Sequence, residues 1–166
     1  MSTTQIPKIL HSSTLIRLQD CDPFGHLNNS RYLDYYMNAR EDQIRKYYDL
    51  DLYDLAKTRQ IGWVVTQSQI SYITPAQIME KVQISTQLIL FTPKSLLVEF
   101  RMMDEHRSRL KSMMWTKFVH VDLKTQKSKV HSDDLLHLFE QAYAPIDQSE
   151  FSERLVFMAS SVKANE

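Results

Sequence analysis

Polar and apolar side chains alternate over residues 13–19, with Leu15, Arg17 and Gln19 set against Ile16 and Leu18, which is the period of a half-buried strand. Beyond the turn-forming Asp22-Pro23 and Gly25-His26 pairs, Asn28-Asn29-Ser30 supplies good capping residues for a helix over residues 31–48. Its stripe of Leu33, Tyr36, Met37, Arg40, Ile44 and Tyr47 recurs every three to four residues and predicts one buried face. A short helix is expected over residues 52–57, and from Gly62 the pattern turns to extended segments. Strands are expected over residues 63–73, 82–90, 96–103 and 110–123, rich in β-branched, aromatic and alternating apolar residues. Val82, Ile84, Leu88 and Leu90 share a face in the second of these, as do Leu96, Val98, Phe100 and Met102 in the third. Thr92-Pro93-Lys94-Ser95 and the 104–108 segment provide tight turns. One strand, one long helix and four meandering strands make an α+β fold, an antiparallel sheet with a helix on one face. Such a sheet leaves open edges, and pairing with a second copy is the expected remedy.

The chain has 166 residues, 43% hydrophobic and 24% charged, which fits one domain. The domain is assigned to residues 1–142, with residues 143–166 as a C-terminal extension, docked or partly disordered. From Gln148 onward the extension is polar apart from Leu155-Val156-Phe157-Met158. Lys and Arg number 20, as do Asp and Glu, so there is no net field to hold nucleic acid. The start of the chain lacks the apolar run of a secretory signal, and no stretch approaches the roughly 20 apolar residues of a membrane span. A cytoplasmic location is expected. With Cys21 as the lone cysteine, an internal disulfide and a thiolate zinc site are both excluded.

Candidate chemistry concentrates in Asp20-Cys21-Asp22-Pro23-Phe24-Gly25-His26-Leu27-Asn28-Asn29. Asp22 lies between a turn and a helix start, where free backbone N–H groups gather. A carbonyl held by amides near Asn28, Asn29 or Ser30 gains hydrogen-bond strength as charge develops on its oxygen, an effect worth about 3 kcal/mol per donor. Asp22 can then attack the carbonyl carbon or take a proton from water. His26 can orient water or substrate. Cys21 is a poor nucleophile here, because the carboxylates of Asp20 and Asp22 oppose a thiolate. Asp20 reads as a loop-supporting hydrogen-bond partner, Arg40 as one half of an ion pair with a carboxylate of the loop or of a partner subunit, and Asp133, beside His131 and His137, as the start of a helix rather than part of a metal site. Lys94, Arg107, Arg109 and Lys111 flank turns and read as solvated cations.

The pattern Asp20-x-Asp22-x-x-Gly25-His26-x-Asn28-Asn29-x-x-Tyr32, followed by Ala39-Arg40, resembles the signature of the 4-hydroxybenzoyl-CoA thioesterase family, and also that of plant acyl-carrier-protein thioesterases. The likeness extends through residues 63–76 and more weakly to about Leu138. It implies a hotdog fold, a five-stranded antiparallel sheet wrapped around one long helix, assembled as homodimers or homotetramers with active sites between subunits. The implied reaction is cleavage of acyl-CoA or acyl-carrier-protein to free acid and thiol, without metal or cofactor. The resemblance puts the catalytic carboxylate on Asp22 and the carbonyl-polarising amide near Asn29, with Gly25, His26, Asn28 and Tyr32 binding or orienting substrate. Many relatives carry a glutamate at or beside Met37 or Asn38, and this chain has none. A noncatalytic acyl-thioester-binding or assembly protein of the same fold is the competing expectation.

Overall fold

The strands and helices follow the expected order in a computed structural model that describes residues 5–163. They are β1 (Ile9–Leu15), α1 (Tyr32–Tyr48), α2 (Leu52–Thr58), β2 (Ile61–Tyr72), β3 (Lys81–Phe91), β4 (Ser95–Asp104), β5 (Leu110–Asp122), β6 (Lys127–Ser128), α3 (Asp133–Ala142) and α4 (Phe151–Lys163). The antiparallel sheet runs β1-β3-β4-β5-β2, and the two-residue β6 adds to β5 beside the expected five strands. The sheet curls around α1. Consecutive strands from β3 to β5 are neighbours because tight turns join them, whereas β1 and β2, separated by α1, end up on opposite edges.

Burial under α1 holds the fold together. Tyr32, Tyr36 and Ala39 pack on Val82, Ile84, Leu88, Val98, Phe100, Met102 and Met114 in one cluster. Fully burying one such large side chain contributes about 2 kcal/mol, so this face anchors the helix far more firmly than its intrinsic propensity would. The buried stripe is rotated from the expected one. Tyr32, Tyr36, Ala39, Gln43 and Ile44 face inward, while Leu33 is exposed. Gln43 tolerates burial because its amide is fully used. It donates to Ser12 Oγ at 2.8 Å and to Ile84 O at 3.1 Å, and it accepts from Thr86 Oγ1 at 2.6 Å.

Three expectations need correction. The first strand ends at Leu15 and begins at Ile9, because pairing with β3 stops where Leu15 meets Lys81. Residues beyond it turn through a short 3-10 segment, Leu18–Asp20, with Leu18 exposed. Leu90 leaves the shared face of β3 at a bulge between Leu88 and Leu90 and is exposed. Lys111 is not a solvated turn-end cation but a side chain buried in β5.

Residues 151–163 form a helix docked on the sheet's other face. Met158 packs with Leu110 and Met113, joined by Met103, Phe151, Leu155 and Val162. Arg154 donates Nε and Nη2 to the wholly buried carboxylate of Glu99 at 2.8 and 2.9 Å. Trp115 Nε1 adds a third donor at 2.9 Å, so the buried charge is both paired and hydrogen-bonded. Among the described residues no helix is long and apolar enough to cross a membrane.

Candidate functional site

The candidate loop is a closed ring between two bridging residues. Cys21 and Leu27 pair as an isolated antiparallel bridge, and within it the Asp22 N–H donates to His26 O at 2.8 Å. The Gly25 N–H donates to Asp22 O at 3.0 Å. Asp22 Oδ1 accepts from the backbone N–H groups of Phe24 at 2.9 Å and His26 at 3.0 Å. The side chain is thereby fixed through one oxygen, and among the described residues Oδ2 accepts no hydrogen bond. Gly25 adopts φ +76°, the left-handed region that other residues enter at a cost, and its carbonyl accepts from the Ile78 N–H at 2.8 Å.

Asn28 caps the turn that leads into α1. Its Oδ1 accepts from Ser30 N at 3.0 Å and Ser30 Oγ at 2.9 Å. Asn29 opens a 3-10 turn, Asn29–Arg31, so its N–H has no acceptor inside that turn. Its carbonyl accepts from the Tyr72 hydroxyl at 3.1 Å. Tyr32, the first residue of α1, is buried and accepts the Ala76 N–H on its hydroxyl at 3.2 Å. Burial raises the Tyr32 pKa above the usual tyrosine value, so the hydroxyl stays protonated at neutral pH. The Tyr32 and Tyr72 rings meet edge to face, with centroids 5.1 Å apart.

These elements enclose a cavity of about 150 Å³ lined by Asp22, His26, Leu27, Asn29, Tyr32, Tyr72, Ile73 and Pro75. Of the six residues singled out from sequence, Asp22, His26, Asn29 and Tyr32 line it together. Gly25 and Asn28 do not; they shape the turn and the cap behind it. Tyr72, Ile73 and Pro75 were not singled out, because a strand end followed by proline carries no chemical signature of its own. Hydrogen bonds distant in sequence bring them beside the Asp22 loop, from Tyr72 to Asn29 O and from Leu27 N to Ala76 O.

The surrounding residues sort cleanly. Asp20 accepts from the Tyr35 hydroxyl at 2.7 Å, and burial together with that carboxylate pushes Tyr35 up to about 12. Burial first, then Asp22 and Asp20, raise the Cys21 thiol pKa, in keeping with an inert thiol. Arg40 has no carboxylate within 4.0 Å among the described residues, so the loop does not supply the partner expected for it. It donates to Thr86 Oγ1 at 2.9 Å and lies 5.9 Å from the Tyr48 ring centroid. His131 accepts from Trp63 Nε1 at 3.1 Å and stacks on His120 at 4.7 Å, an aromatic packing arrangement.

Comparison with known proteins identifies the family and the fold. A family model described as thioesterase-like superfamily matches residues 16–139. The long-chain acyl-CoA thioesterase FadM of Escherichia coli K12 is 29% identical over 126 residues, covering 76% of this chain and 93% of that protein. The crystal structure of YbaW, a probable thioesterase from Escherichia coli, superposes with a TM-score of 0.70 at 27% identity, covering 81% of this chain and 99% of that one. A Staphylococcus aureus protein solved in complex with CoA is 12% identical, a likeness of fold alone, with a TM-score of 0.77 over 93% of this chain and 96% of that one. The family match spans the catalytic-loop candidate, α1 and strands β2 to β6, and the chain belongs to the thioesterase-like superfamily with its hotdog fold.

Proposed function

We propose that the chain hydrolyses acyl-CoA thioesters to free acid and CoA, with acyl-carrier-protein as the alternative thiol carrier. The observation that carries this reading is one cavity lined both by Asp22, whose carboxylate is oriented through Oδ1 with Oδ2 unengaged among the described residues, and by Asn29, whose N–H has no acceptor inside its turn. A thioester carbonyl accepting from Asn29 would be polarised within reach of Asp22 Oδ2. In one route Asp22 attacks the carbonyl carbon, CoA leaves as thiolate and takes up a proton, and water cleaves the resulting mixed anhydride to regenerate Asp22. In the other, Asp22 takes a proton from water as its oxygen attacks, and the thiolate leaves with a proton on collapse of the tetrahedral intermediate. Both routes balance without metal or cofactor. His26 and Tyr32 orient substrate in either.

The working unit in this reading is a homodimer. β2 is an edge strand whose Val64 and Val65 are exposed, and unpaired apolar edges favour strand addition. Tyr72, at the end of β2, lines the cavity, so a partner laid along β2 would close it. A cytoplasmic location suits the free thiol of Cys21.

Free-thiol release from a panel of acyl-CoA and acyl-carrier-protein thioesters tests the reading. Asp22→Asn and Asp22→Ala should each lower kcat by about 100-fold or more. Parent rates in both variants would remove Asp22 from the chemistry. Binding without hydrolysis across the panel would establish the noncatalytic reading, the alternative to which the lack of a carboxylate at Met37 and Asn38 points.

A further inference from the structure

One wall of the cavity is held by a residue that does not touch it. Ile73 and Pro75 line the cavity together with Asp22, and the segment that carries them, residues 73–80, lies along the catalytic-loop candidate. Leu27 N–H donates to Ala76 O at 2.8 Å, and Ile78 N–H donates to Gly25 O at 2.8 Å. On its other side the same segment is fastened to β5 at Lys111. The Lys111 carbonyl accepts from Ile73 N at 2.8 Å and Thr74 N at 3.2 Å. Its ammonium, on a residue only 5% exposed, lies 2.8 Å from Glu80 Oε1. It donates to Glu80 Oε2 at 3.0 Å and to Pro75 O at 3.2 Å. Glu80 in turn accepts from Gln77 N at 2.7 Å, closing the turn on itself.

We infer that Lys111 is a positioning residue for thioester hydrolysis, setting the wall formed by Ile73 and Pro75 and, through Ala76 and Ile78, the seat of the Asp22 loop. The inference rests on the proposed function for its kinetic consequence. A buried ammonium with its donors directed at one carboxylate and one carbonyl is a clasp between two elements. Both partners, Glu80 and Pro75, lie on the segment that needs holding. Removing the charge leaves Glu80 without its cation and frees Pro75 to drift. Displacement of a reacting group by about 1 Å is enough to cost on the order of 100-fold in rate, so the effect belongs in kcat.

The test compares Lys111→Met and Lys111→Arg with the full-length parent, using the same thioester panel together with hydrogen exchange at individual amides. Lys111→Met should lower kcat about 10-fold or more while changing KM less than about threefold. Lys111→Arg, which keeps the charge, should return kcat to within about threefold of the parent. In the Met variant the amides of Leu27 and Ile78 should exchange about 10-fold faster, with that of Leu88 in the sheet unchanged. A Met variant with parental kcat and parental exchange at Leu27 and Ile78 overturns the inference, as does faster exchange spread equally over all three amides. If the parent hydrolyses no thioester in the panel, the functional reading fails by itself, and the exchange measurements still decide the clasp.

Discussion

Gly25 and Asp22 illustrate how a loop of ordinary residues becomes a site. The two N–H groups that fix Asp22 Oδ1 belong to Phe24 and His26, the neighbours of a residue at φ +76°. Only a left-handed residue between them turns both amides toward one oxygen. A Cβ added at Gly25 would meet Ile78 Cγ2 at 3.6 Å, an ordinary contact, so Gly25→Ala is penalised by backbone conformation and not by a clash. We expect it to lower unfolding free energy by about 1 kcal/mol in urea titration and to lower thiol release as well, since the Asp22 anchor shares the strain. A stable variant with parental activity would show that the turn does not set the carboxylate. These residues were legible in the sequence because their types are tied to local geometry: aspartate before proline, a lone glycine in a turn, asparagine at a helix start. Tyr72, Ile73, Pro75 and Lys111 were not, because each acts across the sheet and nothing within a few residues of any of them records its partner.

The elements divide along the same line. α1 was readable because its caps and its apolar spacing agree, and β3 to β5 because each alternates between recognised turns. β1 begins several residues before the alternation over residues 13–19, because strand length is set by pairing with β3, which runs from Ile9 and ends at Leu15. α4 was missed as a helix because its four contiguous apolar residues have no helical period, and its docking depends on Arg154 meeting Glu99 from another strand. α3 carries a pH dependence. Its Phe139 packs on His131, which burial and then His120 hold down to about 4. Unfolded histidine titrates near 6.5, so the unfolded chain binds the proton first. Stability is complete above about pH 6.5, falls as pH drops toward 4, and levels off below it, a loss of roughly 3 kcal/mol. The carboxyl of Asp134, held at about 2 by hydrogen bonds from Arg59 and Ser132, loses its contribution only below about pH 4, so the two windows separate. Urea midpoints measured between pH 7.5 and 4 should trace the first window, to which His120, also held down by burial, adds, and His131→Phe should make it shallower while costing stability at neutral pH through the lost Trp63 hydrogen bond. An unchanged slope in that variant would place the titrating group elsewhere.

At the scale of the whole molecule, the sheet has two edges and two faces, and the described residues treat them differently. α1 covers one face and α4 part of the other. β1 forms one edge and β2 the opposite one. From Val64 to Gln69 every residue of β2 is exposed, an unusual run for a 12-residue strand that pairs with β5 along nearly its whole length. An exposed edge of that length, apolar at Val64 and Val65 and polar from Thr66 to Gln69, is prone to pair with another chain, and the proposed dimer uses it in a closed, symmetric way. A lysine on such an edge opposes pairing without altering the pairing already made with β5. Val65→Lys should therefore halve the mass seen by light scattering at micromolar concentration, keep the far-UV spectrum, and lower thiol release about 10-fold or more, because the cavity beside Tyr72 loses its second wall. Parental mass with parental activity would place the subunit contact on another surface. A monomer with parental activity would show that one chain completes the site by itself, and the interface would then serve stability alone.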